Sequence, residues 1–159
     1  PIATVTSAFV NMILTFIVVF GVVIIAGRGI HIHAMLCLPI VMIVEYILCL
    51  GIALIVSSIT VYLRDLQYIL GIFVMALQYL TPVMYGVDMV ENSGAGYWLV
   101  FLFNLNPMTP IIRIYRQIIY YGEVPELHSL LLALIVGIVF IVIGEVMFKK
   151  LQKGFAEEF

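Results

Sequence analysis

No charged side chain occurs between Pro1 and Gly27, and that silence limits the chain more than any motif in it. About 20 apolar helical residues cross a hydrocarbon core of roughly 30 Å. Three later stretches are long enough as well, so spans are expected at about residues 3–26, 34–59, 67–87 and 128–148. Water cannot be the main solvent of such a chain. Of its 159 residues 65% are hydrophobic and 10% charged, with a mean hydropathy of +1.25, where soluble domains average roughly 45–50% apolar and about 25% charged. Seven Lys/Arg and nine Asp/Glu cannot coat a soluble domain of this length, so lipid must cover most of it. The net charge of −2 and the lack of any basic run with interleaved aromatics exclude nucleic acid as a partner.

The four stretches differ in their details. Thr4, Thr6, Ser7, Asn11 and Thr15 gather toward one end of the first. The second starts near Ala34, with Pro39 close to its beginning, where a proline costs least, and with Glu45 well inside. The third follows Arg64-Asp65 and is broken by Thr81-Pro82, and the fourth runs from His128 to Phe148 into Lys149, Lys150 and Lys153. Four crossings put both ends on one side. The lysine cluster assigns that side to the cytoplasm by the positive-inside rule, with Arg64 also inside and Arg28, Arg113 and Arg116 outside. An apolar run that begins at Pro1, without a charged leader or a small-residue cleavage site, reads as a chain missing its natural N-terminus rather than as a signal peptide. Cys37 and Cys49, about 18 Å apart if they share one helix, are expected as free thiols. His31 and His33 read as solvated turn residues, and no Cys/His cluster has metal-ligand spacing.

The segment from Asp88 to Leu127 lies outside by parity, yet it contains Tyr97-Trp98-Leu99-Val100-Phe101-Leu102-Phe103. That run is too apolar for a free loop and too short to cross. Asn104, Asn106-Pro107 and Pro110 interrupt it before a second helical piece over about 108–121. In that piece Ile111, Ile112, Tyr115, Ile118 and Ile119 recur at helical spacing, with Arg113, Arg116 and Gln117 between them, and Gly122 is a natural stop. Two short helices with a break fit a re-entrant pair, which membranes tolerate where protein or water shelters the broken backbone. The expected fold is therefore an all-α integral membrane domain over 1–159, with four transmembrane helices and a re-entrant pair of short helices on the exterior side.

One ordered set of motifs carries a resemblance: Val61-Tyr62-Leu63-Arg64-Asp65-Leu66, then Leu80-Thr81-Pro82-Val83-Met84-Tyr85, then Leu105-Asn106-Pro107-Met108, then Arg116, Gly122, a last span and a basic tail. It resembles the permeases of type-2 ABC exporters and is most similar to the branch that exports O-antigen, capsular polysaccharide and teichoic acid. The likeness covers the whole chain but only the last four of the family's usual six spans. It implies a homodimer in the bacterial cytoplasmic membrane that moves a lipid-linked glycan outward. It also implies a separate ATP-binding subunit, with ATP on that partner and no cofactor in this chain. The chain agrees in having no G-x-x-x-x-G-K-[ST] loop to cradle phosphates.

Candidate residues follow. Arg64 and Asp65, in a cytoplasmic turn, are read either as a contact with the ATPase or as a headgroup anchor. Tyr79, Tyr85, Tyr97, Trp98, Phe101 and Phe103, with Tyr115, Tyr120 and Tyr121 on the second short helix, make an aromatic exterior that suits the C–H faces of sugars, and equally the interfacial belt of membrane proteins; Pro82 is a path or gate candidate beside them. Asn106 and Pro107 mark the break of a periplasmic-side gate. Arg113 and Arg116, three apart, face phosphates of lipid or of a pyrophosphate-linked substrate, or snorkel. Glu45 is the acid deep in a span, with a structural or path-lining role, and Glu145 precedes Lys149 by four residues, the favourable order for an ion pair. Alternatives to glycan export are export of a drug or other amphiphile, a membrane-embedded lipid or glycan enzyme using Glu45 with Arg113 and Arg116, and an ion-coupled carrier.

Overall fold

The computed structural model describes residues 1–25, 32–62, 65–81, 98, 101 and 106–155. Regular structure among them is entirely helical. Helix α1 covers Ile2–Ile25, α2 Ile32–Met35, α3 Leu38–Tyr62, α4 Leu66–Leu80 and α5 Met108–Arg116. A single π-helical turn, Gln117–Tyr121, extends α5, and α6 covers Leu127–Phe155. Sequences so rich in Val and Ile are mediocre helix formers in water. In lipid the competition disappears, because each backbone N–H and C=O must find its partner within the segment.

Among the described residues three helical stretches are long and apolar enough to cross a membrane: Ile2–Ile25, His33–Thr60 across the junction of α2 and α3, and Leu127–Lys150. The expected span at 67–87 is helical over the 15 residues Leu66–Leu80, about 22 Å of rise. Its continuation past Thr81 falls outside the described residues. Leu80 ends the helix because Thr81 precedes a proline, which drives it out of the helical region; Thr81 sits at φ −89°, ψ 127°.

The second span, expected over about 34–59, is found at His33–Thr60, and within it the helix turns at Leu36–Cys37 and restarts at Leu38. Pro39 has no N–H to give the carbonyl at position 35, and its ring crowds that carbonyl. The break places Pro39 in a first helical turn, where the missing donor costs nothing.

The core is assembled around the amphipathic α5. Leu38, Val41, Val44 and Leu48 of α3 cluster with Ile111 and Ile114 of α5, Ile118 of the π turn, Ala34 of α2 and Ala133 of α6. Ile111, Ile114 and Ile118 are spaced i, i+3, i+7, one face of a helix. Beside this cluster α3 and α6 meet along glycines. A Cβ on Gly51 would stand 2.7 Å from the backbone of Phe140 and Ile141, and one on Gly144 would stand 2.8 Å from Leu54 Cβ and 2.9 Å from Gly51 O. Hydrophobicity cannot drive helix association in lipid, so close backbone approach over small residues takes its place.

Helix α1 lies against this pair with none of its residues buried. The Thr6 and Tyr46 hydroxyls bond at 3.0 Å, and Phe9 stacks on Tyr46 at 5.0 Å. At the other end α6 continues beyond the expected limit at 148 to Phe155, with Lys149 bonded to Glu145 at 2.6 Å as their order implied. Cys37 and Cys49 are both free thiols.

Candidate functional site

The start of α5 is built to need no water. A helix begins with orphan N–H groups. Here Pro107 and Pro110 have none to leave unsatisfied, Met108 N donates to Asn106 Oδ1 at 3.0 Å, and Thr109 N donates to Asn106 O at 3.0 Å. Asn106 thus caps the helix with side chain and backbone together. Its amide Nδ2 donates to Thr81 Oγ1 at 2.8 Å, while that hydroxyl donates to Leu77 O at 2.6 Å. Asn106, Thr81 and Thr109 are all buried. This relay ties the break before α5 to the end of α4, so the two Pro-containing interruptions seen in the sequence meet in space.

At the other end Gly122 takes the left-handed conformation, φ 68°, and the N–H groups of Gly122 and Glu123 both donate to Gln117 O. Only glycine enters that region without strain. The π turn rotates the last side chains of the helix and leaves Tyr120 and Tyr121 exposed, edge to face at 5.0 Å.

Midway along α5, Tyr115 donates its hydroxyl to Glu45 Oε2 at 2.6 Å, and its ring lies 5.3 Å from Phe16 of α1. One tyrosine of α5 therefore touches two other elements, α3 and α1. The bond does not make Glu45 a stabilising residue. A carboxylate at a span centre costs about 2.5–3.5 kcal/mol on insertion scales, whereas interhelical hydrogen bonds within membranes average about 0.6 and reach about 1.7 kcal/mol. An apolar pair would hold the fold at least as well, and such an acid points to function. Glu45 also lines a cavity of 330 Å³ with Tyr46 and Cys49 of α3 and with Val5, Ala8, Phe9 and Met12 of α1.

A second cavity, 390 Å³, lies where the start of α5 faces α6; Asn106, Pro107, Thr109, Pro110 and Arg113 line one wall and Ser129, Leu132, Val136 and Phe140 the other. The candidate residues Asn106, Pro107 and Arg113 are thus brought together here. Arg113 is exposed and Arg116 half-buried. Glu45 and Arg113 line different cavities. Tyr79 is exposed on α4, Trp98 and Phe101 are exposed and meet edge to face at 6.5 Å, and Asp65 is exposed at the start of α4. Arg64, Pro82, Tyr85 and Tyr97 fall outside the described residues. Two participants carried no expectation of a site: Thr81 had been counted only as a helix breaker, and Ser129 stood out in no pattern. Tyr115 was expected among the exterior aromatics, not as the partner of Glu45. For Tyr115 a signal existed, since it lies on the buried face four residues after Ile111, where a phenol needs a partner.

Apolar helices of membrane length, with an amphipathic helix docked among them by a buried polar relay, define a multi-pass integral membrane domain. The chain belongs to the ABC-2 type transporter family, whose sequence profile matches residues 2–120, and it is accordingly a membrane permease domain. The resemblance carried by the ordered motifs holds at family level. Over 157 residues, 99% of the chain, it is 25% identical to an O-antigen export system permease protein RfbA of Klebsiella pneumoniae, covering 58% of that protein. A second RfbA of Klebsiella pneumoniae is 27% identical over 76% of the chain and 44% of its own length. The RfbA of Myxococcus xanthus is 26% identical over 75% of the chain and 45% of its own length. The chain spans about half the length of these relatives.

Proposed function

We propose that the chain is the second half of the permease subunit of an ATP-driven exporter, which carries a lipid-linked polysaccharide across the bacterial cytoplasmic membrane. The specific supporting observation is the start of α5: its leading donors are either absent at prolines or taken by Asn106. A surface helix gains from a cap but can also leave such groups to water. A helix that dips into the bilayer has no such recourse. In this reading α4 and its continuation form a fourth crossing, both ends of the chain are cytoplasmic, and the segment 97–121 re-enters from the exterior as a gate.

Two copies of the permease enclose the path, and a separate ATP-binding subunit supplies the energy, with Arg64 and Asp65 at a cytoplasmic turn as a secondary contact to it. Tyr79, Tyr85, Tyr97, Trp98 and Phe101, with Pro82 among them, line the path, the aromatic residues offering ring faces and the tyrosines hydroxyls to passing sugars with little selectivity for sequence of the glycan. Arg113 and Arg116 meet the phosphate of a lipid carrier near the exterior. The test is export of surface polysaccharide in cells whose full-length permease is paired with an ATPase subunit lacking its catalytic base. Loss of surface glycan with its lipid-linked form accumulating inside supports the reading; undiminished export refutes it.

A further inference from the structure

We propose that Glu45 is a positioning residue: through its hydrogen bond to Tyr115 it sets how firmly the amphipathic helix is docked. This deepens the gate reading above and rests on it. Docking of that helix is otherwise supplied by the Asn106–Thr81 bond before its first turn and, along its length, by Ile111, Ile114 and Ile118 against Val41, Val44 and Leu48, contacts without direction. The bond at 2.6 Å joins residues 70 apart in the chain and has direction.

The cavity beside Glu45 gives its carboxyl a second place to go. In this proposal the released carboxyl turns into that cavity, whose wall includes Tyr46 and Cys49. Because the Tyr115 ring also rests on Phe16, release of the helix removes one contact of α1, leaving those of Thr6 and Phe9 with Tyr46 in place. That combination accounts for an acid whose burial the bond does not repay: it is placed where the energy difference between docked and released helix stays small.

The experiment uses the full-length permease with its ATPase subunit in membranes, with Cys37 and Cys49 changed to Ala. The reporter is Ile118→Cys, whose buried position reacts with a water-soluble thiol reagent only when the helix undocks. Tyr115→Phe should speed labelling about 3- to 18-fold, the range that one interhelical bond within lipid commands. Glu45→Gln keeps an acceptor oxygen for the tyrosine and should label at the parent rate. Glu45→Leu should match Tyr115→Phe, and the double variant should exceed neither. Unchanged labelling in Tyr115→Phe, or single effects that multiply in the double variant, overturns the proposal. If Tyr115→Phe does not reach the membrane, Glu45→Gln against Glu45→Leu decides alone, equal rates overturning it. Faster labelling with export at the parent rate would uphold the positioning role and refute the gate.

Discussion

Gly51→Ala is the sharpest perturbation of the α3–α6 contact, because what the new methyl meets is backbone. Its Cβ would lie 2.7 Å from Ile141 N and Phe140 C and 2.8 Å from Phe140 Cβ. Ordinary contact begins at 3.4 Å, so the helices must part by about 0.7 Å, a gap that forfeits a quarter to a half of each contact's dispersion energy. No flexible side chain can move aside instead. The cost expected of such overpacking is about 1–3 kcal/mol, set against the few tenths to about 1 kcal/mol that alanine gains over glycine within a helix. Thermal unfolding of the full-length permease in detergent should show the midpoint falling by several degrees. Gly71→Ala is the matched control, since nothing lies within 4 Å of its Cβ and the propensity gain acts unopposed. A Gly51→Ala protein as stable as the Gly71→Ala protein would refute the steric reasoning.

Asn106→Ala removes the cap of α5 and the donor to Thr81 at once; a loss of about 1–2 kcal/mol is expected, read as a lower unfolding midpoint and faster labelling of an Ile118→Cys reporter. Asn106→Asp keeps the acceptor for Met108 N but not the amide donor, and should fall between the parent and Asn106→Ala. The Glu145–Lys149 pair is exposed on the last turns of α6, so Lys149→Gln should leave the midpoint unchanged while weakening the inside-positive signal that orients the span, measured by the sidedness of a C-terminal tag.

The helices were legible because lipid leaves a long apolar run no other way to satisfy its backbone. The end of the amphipathic piece was legible for a local reason, a glycine where only glycine fits, and so was the pairing of Glu145 with Lys149. The turn at Leu36–Cys37 was within reach too: in a span expected from about residue 34, Pro39 stands a full turn inside, where its missing N–H interrupts the helix. What stayed hidden is relational. Gly51, Gly137 and Gly144 look like any glycines of a lipid-facing helix until two helices are laid together. Glu45 announced itself by its cost, but its partner lies 70 residues away, and Thr81 gained its second task only when Asn106, 25 residues later, reached it. Short-range periodicity reports which face is apolar and says nothing of which faces meet.

The glycine contact has a mechanical consequence. Interfaces packed to crystal density resist small displacements, and a seam with backbone against backbone cannot open slightly without losing most of its hold. α3 and α6 therefore behave as one stiff strut. Any large excursion of the domain has to be borne by what hangs from it: α1, none of whose residues is fully buried, the outward-facing α4, and the short helix leaning on its side.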